Sequence, residues 1–145
     1  MTENIITITD HRDELLDGSW ILGNDAHIET VGGSACIIAM SGESRVGRVC
    51  DNAIINIVGG ESRVGRVCDN AIINIVRDNA RIETVGGSAC VVELCDKARV
   101  IKVCDCAWIG TVRGNASIDI VQGEAHIDTV CDDAFISIDE SSYID

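Results

Sequence analysis

Seven cationic side chains recur on a fixed spacing: Arg45, Arg48, Arg63, Arg66, Arg81, Arg99 and Lys102. Arg45, Arg63, Arg81 and Arg99 stand eighteen residues apart, and Arg48, Arg66 and Lys102 follow three residues behind Arg45, Arg63 and Arg99. Rows of guanidinium groups do one kind of chemistry, the recognition of carboxylates and phosphates through paired N–H donors. A second periodic set is acidic: Asp51, Asp69, Asp78, Asp96, Asp105 and Asp132, with Asn52, Asn70, Asn79 and Asn115 one position further along the unit. Such side chains either close Asx turns on their own backbone or, stacked at an edge, hold calcium. Cys104-x-Cys106 has no second ligand pair at zinc-finger spacing. No Ser/His/Asp grouping, phosphate loop or isolated carboxylate pair is present, so the expectation is a protein that is not an enzyme, with no catalytic residue, metal, cofactor or small-molecule substrate.

The elements that carry these residues are short. From residue 23 to 139 the chain reads as thirteen consecutive nonapeptides, x-[Gly/Asp]-x-[Ala/Ser]-x-[Ile/Val]-x-x-Val. Position six is Ile or Val in all thirteen, position four Ala or Ser in all thirteen, and position nine apolar in twelve. Small-apolar, variable, branched-apolar at positions four to six is the period-two signature of a strand with one buried face. Gly, Asp, Asn, Ser and Cys at positions one to three are turn residues that tolerate left-handed backbone angles. Strand plus turn at a fixed short period predicts an all-β fold, a single β-solenoid in which each unit buries its apolar edge on its neighbours.

Residues 42–58 recur letter for letter as 60–76, an offset of two units. Two nonapeptides per coil, about seven 18-residue coils in all, is therefore the preferred arrangement, with three units per coil the alternative. In the two-unit coil all odd units share one wall and all even units the other. Of eleven Lys and Arg, ten lie in the odd units and none in the even ones. The odd wall then presents the basic ladder to a partner, or pairs it with Glu29, Glu43, Glu61 and Glu83 as a solvated face. The even wall presents Cys36, Ile38, Ile54, Ile57, Ile72, Ile75, Cys90, Val92 and Trp108, with Ala39 among them. An apolar surface of that extent predicts self-association, as a homodimer in which Trp108 is the anchor. Should position seven or eight turn inward, several of these residues are core instead.

Residues 1–20 lie outside the repeat and read as an N-terminal cap, with a strand over 5–9 and a polar, one-turn helical piece over 11–18; residues 21–145 form the solenoid domain, ending in a truncated unit at 140–145. The opening residues have neither a basic start nor an apolar run, and no segment approaches a membrane span, so the expected setting is cytoplasmic. Eight cysteines then read as reduced small residues, although Cys50 and Cys68 stack closely enough to be bridged.

The units Cys50-Asp51-Asn52-Ala53-Ile54-Ile55 and Arg113-Gly114-Asn115-Ala116-Ser117-Ile118 resemble those of bacterial and phage repeat proteins built from short Gly-Asn-Ala-x-Val or Asp-Asn-Ala-x-Ile units, similar in style to hexapeptide left-handed β-helices. That resemblance implies a solenoid fold and no particular activity. Hexapeptide acyltransferases would add a trimer and a catalytic histidine, but the period here is nine, and His27 and His126 occupy ordinary variable positions. Gly32-Gly33 and Gly86-Gly87 are similar to the start of the calcium-binding β-roll unit of secreted toxins and proteases, yet Ile37 and Val91 stand where its ligand Asp belongs.

These readings converge on a binding or scaffold protein that self-associates through its apolar wall and offers charged ladders to a protein partner, with direct nucleic-acid binding left open. With a net charge of −13, the alternative is an acidic, phage-encoded inhibitor of a nucleic-acid-handling enzyme, by analogy with pentapeptide-repeat proteins that resemble DNA.

Overall fold

The computed structural model describes residues 5–137, so the unit expected over 140–145 lies outside the described residues. Sixteen strands follow one another without a helix between them. They begin with β1 (Ile5–Ile8), β2 (His11–Leu15) and β3 (Ser19–Leu22). Each nonapeptide then supplies one strand at positions five to nine. Even units give β5 (Cys36–Met40), β7 (Ile54–Val58), β9 (Ile72–Val76), β11 (Cys90–Leu94), β13 (Trp108–Val112) and β15 (His126–Val130). Odd units give β4 (His27–Val31), β6 (Arg45–Val49), β8 (Arg63–Val67), β10 (Arg81–Val85), β12 (Arg99–Val103), β14 (Ser117–Val121) and β16 (Phe135–Ile136).

The strands form two parallel eight-stranded sheets, β1-β3-β5-β7-β9-β11-β13-β15 and β16-β14-β12-β10-β8-β6-β4-β2. Odd and even units are thus on separate walls, and each coil contains two nonapeptides. With strands about 4.8 Å apart, eight per sheet make a rod about 34 Å long. Ala or Ser at position four, Ile or Val at six and the apolar residue at nine point inward and fill one continuous core, from Ile8 to Ile127. Two polar side chains enter it: Ser44 and Ser62 are fully buried in adjacent coils and bond to each other, Oγ to Oγ at 3.0 Å. Positions five, seven and eight face outward, as the pattern exposed-buried-exposed-exposed-buried of Arg45–Val49 illustrates. Among the described residues no side chain at position seven or eight enters the core; Gly110 at position seven is buried, with the Trp108 ring against it.

One expectation fails. The polar piece over 11–18 is not helical; its first part is β2, paired in parallel with β4 through His11↔His27, Arg12↔Ile28, Glu14↔Thr30 and Leu15↔Val31. The pairing places Arg12 at position six and leaves Leu15 alone to reach the core, so backbone ladder bonds rather than apolar alternation hold this strand in place. Residues 5–15 consequently continue the stack.

Candidate functional site

Each turn covers positions one to four, closed by the amide of position four donating to the carbonyl of position one, as in Ala53 to Cys50 at 3.2 Å. Position two has positive φ in every unit: Asn24 and the six Asp residues at 45–58°, and glycines in the other six. Amides at positions one, three and five donate to the preceding coil; Cys50 to Val31, Asn52 to Gly33 and Ile54 to Ala35 are one such set. The amide at position two is left over, and the position-two Asp of the next coil takes it. Gly33 donates to Asp51 (2.9 Å), Asp51 to Asp69 (3.2 Å), Gly60 to Asp78 (2.9 Å) and Asp78 to Asp96 (3.2 Å). Gly87 donates to Asp105 (3.0 Å) and Gly114 to Asp132 (3.1 Å). The acidic ladder is therefore structural: its carboxylates bind backbone of the neighbouring coil, where the sequence pointed to their own turn or to calcium.

Two groups of metal-ligand type come together, His11/Asp13/Glu29 and Cys50/Asp51/Asp69, with ligand atoms within 4.8 Å of one another. The Asp51 and Asp69 carboxylates already bind amides, and His11 sits against Glu29 (3.4 Å) and stacks on His27 (4.9 Å between ring centres). None of the eight cysteines, all among the described residues, is in a disulfide. Burial, then the charge of Asp51, raises the Cys50 thiol above its ordinary pKa.

On the odd wall the ladder is laid out in register. Arg45, Arg63, Arg81 and Arg99 are successive partners across β6, β8, β10 and β12, and Arg48, Arg66, Thr84 and Lys102 form the parallel row. Between the rows the position-seven column reads Glu29, Gly47, Gly65, Glu83. The two glycines are required by close approach: a Cβ on Gly47 would lie 2.7 Å from the Glu29 carbonyl oxygen, and one on Gly65 2.5 Å from that of Gly47. Two adjoining shallow hollows result, about 290 Å³ bounded by Glu43, Arg45, Glu61, Arg63, Asn79 and Arg81, and about 210 Å³ floored by Gly47 and Gly65. The proposed neutralisation by Glu29, Glu43, Glu61 and Glu83 is not what forms. Among the described residues Arg45, Arg63, Arg66 and Arg81 make no ion pair, and the one ladder pair is Arg99 with Asp119. That contact, through a side-chain hydrogen bond and then charge, raises the Arg99 pKa further. Arg48 is drawn to Cys68, whose hydrogen bond and charge raise its pKa likewise.

On the even wall Cys36, Ile38, Ile54, Ile57, Ile72, Ile75 and Cys90 are half-buried and Val92 is exposed, all facing outward. An Asn56–Asn74 bond at 2.9 Å runs through the middle of this surface. Trp108 lies at its end, not as a projecting anchor: the ring covers Gly110, and the indole N–H donates to Asp128 at 3.1 Å. Arg113, from a turn, reaches over to Glu93 on β11, so one cation does touch this wall. Sequence reasoning missed the Asp-to-amide bonds and the glycine floor, although the restriction of position two to Gly, Asp and Asn was a visible signal for the first.

No family model matches this chain, and no curated protein or solved structure is detectably similar to it.

Proposed function

We propose that this is a non-enzymatic binding or scaffold protein, self-associating through the even wall and presenting the Arg ladder to a macromolecular partner. One observation carries the reading: outward side chains on the two walls of one rod are sorted by chemistry. The even wall sets Ile38, Ile54, Ile57, Ile72, Ile75 and Val92 toward water, a surface that gains by burial against a second copy. On the odd wall Arg45, Arg63, Arg66 and Arg81 make no ion pair among the described residues. Sedimentation velocity tests the first half: a dimer at micromolar concentration, converted to monomer by Ile57→Asp with Ile75→Asp. A strict monomer in the wild type removes it. For the second half, replacing Arg45, Arg63, Arg81 and Arg99 by Ser should abolish salt-sensitive partner binding while leaving the coil intact; loss of folding would make the ladder structural.

The net charge of −13 on a rod of this shape favours a second reading, the acidic inhibitor of a nucleic-acid-handling enzyme. Such an inhibitor competes with DNA for its enzyme, whereas a scaffold does not.

A further inference from the structure

Resting on the reading of the odd wall as a partner-binding face, we propose that the trough over Gly47 and Gly65 takes a short, extended acidic peptide running along the rod axis. Arg45, Arg63 and Arg81 line one side of the trough, Arg66 stands three residues beyond Arg63 along β8, past the floor, and the two glycines remove any side chain between them. Positions five and eight are three residues apart along a strand, so the rows stand about 10 Å apart. An extended peptide projects successive side chains to opposite sides. Laid along the floor, it sends one carboxylate to the Arg63 row and the next to the Arg66 row, each position offering the planar fork that a carboxylate fits.

The ends and the rim set the length and the charge pattern. Glu29 and Glu83 stand in the floor column at either end of the glycines, three coil steps or about 14 Å apart, which an extended chain crosses in about four residues. Glu43 and Glu61 border the Arg45 row on its outer side. A ligand of unbroken negative charge, such as a nucleic-acid strand, meets repulsion from all four carboxylates and from the −13 of the whole chain. A peptide carries its charge only on side chains aimed at the arginines. Charge complementarity thus selects a consecutive run of two or three acidic residues.

The experiment is fluorescence anisotropy with full-length protein at low ionic strength, using labelled acetyl-Gly-Glu-Glu-Glu-Gly, acetyl-Glu-Gly-Glu-Gly-Glu of equal charge, and a labelled oligothymidylate. The consecutive peptide should bind, the alternating one at least about fivefold more weakly because it addresses one row. Arg63→Gln and Arg66→Gln should each cost the consecutive peptide about tenfold, and Lys97→Gln, an exposed turn residue outside the trough, nothing. Equal affinity for the two peptides, no peptide binding, or indifference to both arginine variants overturns the proposal. If the oligothymidylate binds more tightly and depends on Arg63, the peptide assignment falls while the basic strip survives as a binding face. If neither arginine variant changes any ligand's binding, the strip reading falls with it.

Discussion

Replacing Asp78 tests the inter-coil bonds directly. Its carboxylate accepts the Gly60 amide at 2.9 Å, and its own backbone sits at φ 58°. A hydrogen bond to a charged acceptor contributes about 1.5–3 kcal/mol net; with the Asp78 side chain 49% exposed, the low end applies. The left-handed backbone works the other way, costing a residue with a Cβ about 1–2 kcal/mol against glycine. Asp78→Ala loses the bond and keeps the strain, so it should destabilise by about 1.5–2 kcal/mol. Asp78→Gly loses both and should come within about 0.5–1 kcal/mol of wild type. Asp78→Asn, which tolerates the angle and still offers an oxygen, should fall between wild type and Ala. Because a stack of coils does not unfold as one unit, the decisive assay is amide exchange at Gly60. Asp78→Ala and Asp78→Gly should both speed it by about tenfold, one decade being about 1.4 kcal/mol. The Glu61 amide, which donates to the Gly42 carbonyl at 2.8 Å, should be unchanged. If Gly60 exchanges equally in all four proteins, the carboxylate bond contributes nothing and the reasoning is wrong.

Other perturbations probe the core, the walls and the thiols. Ser44→Ala should cost about 1–3 kcal/mol by leaving the buried Ser62 hydroxyl without its partner, and the Ser44→Ala/Ser62→Ala double variant should recover most of it; a urea-melt cycle reads the coupling. Gly110→Ala should destabilise by about 1–3 kcal/mol, since the new methyl lies 2.4 Å from the Val92 carbonyl oxygen, and an unchanged urea midpoint would contradict that contact. The Cys106 thiol donates to Glu124 at 3.5 Å, and that bond, ahead of burial, raises its pKa. Fewer thiolates are present at pH 8 as a result, so Glu124→Gln should accelerate iodoacetamide labelling at Cys106, as mass spectrometry will show.

Much of the fold was legible because each structural demand is written at a fixed position. Ile or Val at position six and Ala or Ser at position four mark the buried face, and the copy of 42–58 at 60–76 marks the two-unit coil. The strand at His11–Leu15 was not legible because only Leu15 obeys the pattern; Arg12 occupies the place of a core isoleucine. The walls were legible from periodicity, but what each side chain touches was not. Trp108 reads as an anchor until Asp128 and Gly110 are seen to hold it down. Glu43 and Glu61 read as partners of Arg45 and Arg63, yet the four border one hollow without forming an ion pair. Such contacts depend on geometry across eighteen residues, which composition at one position does not encode.

The carboxylate bonds all run the same way, from a later coil back to an earlier one. During synthesis the amide of Gly60 is in place before Asp78 leaves the ribosome, so every newly made turn finds its acceptor's target already waiting. The two ends of the rod are therefore unequal under trimming. Shortening from the C-terminal side at a coil boundary uncovers backbone N–H groups, while shortening from the N-terminal side uncovers carboxylates, so the two cut faces differ in charge.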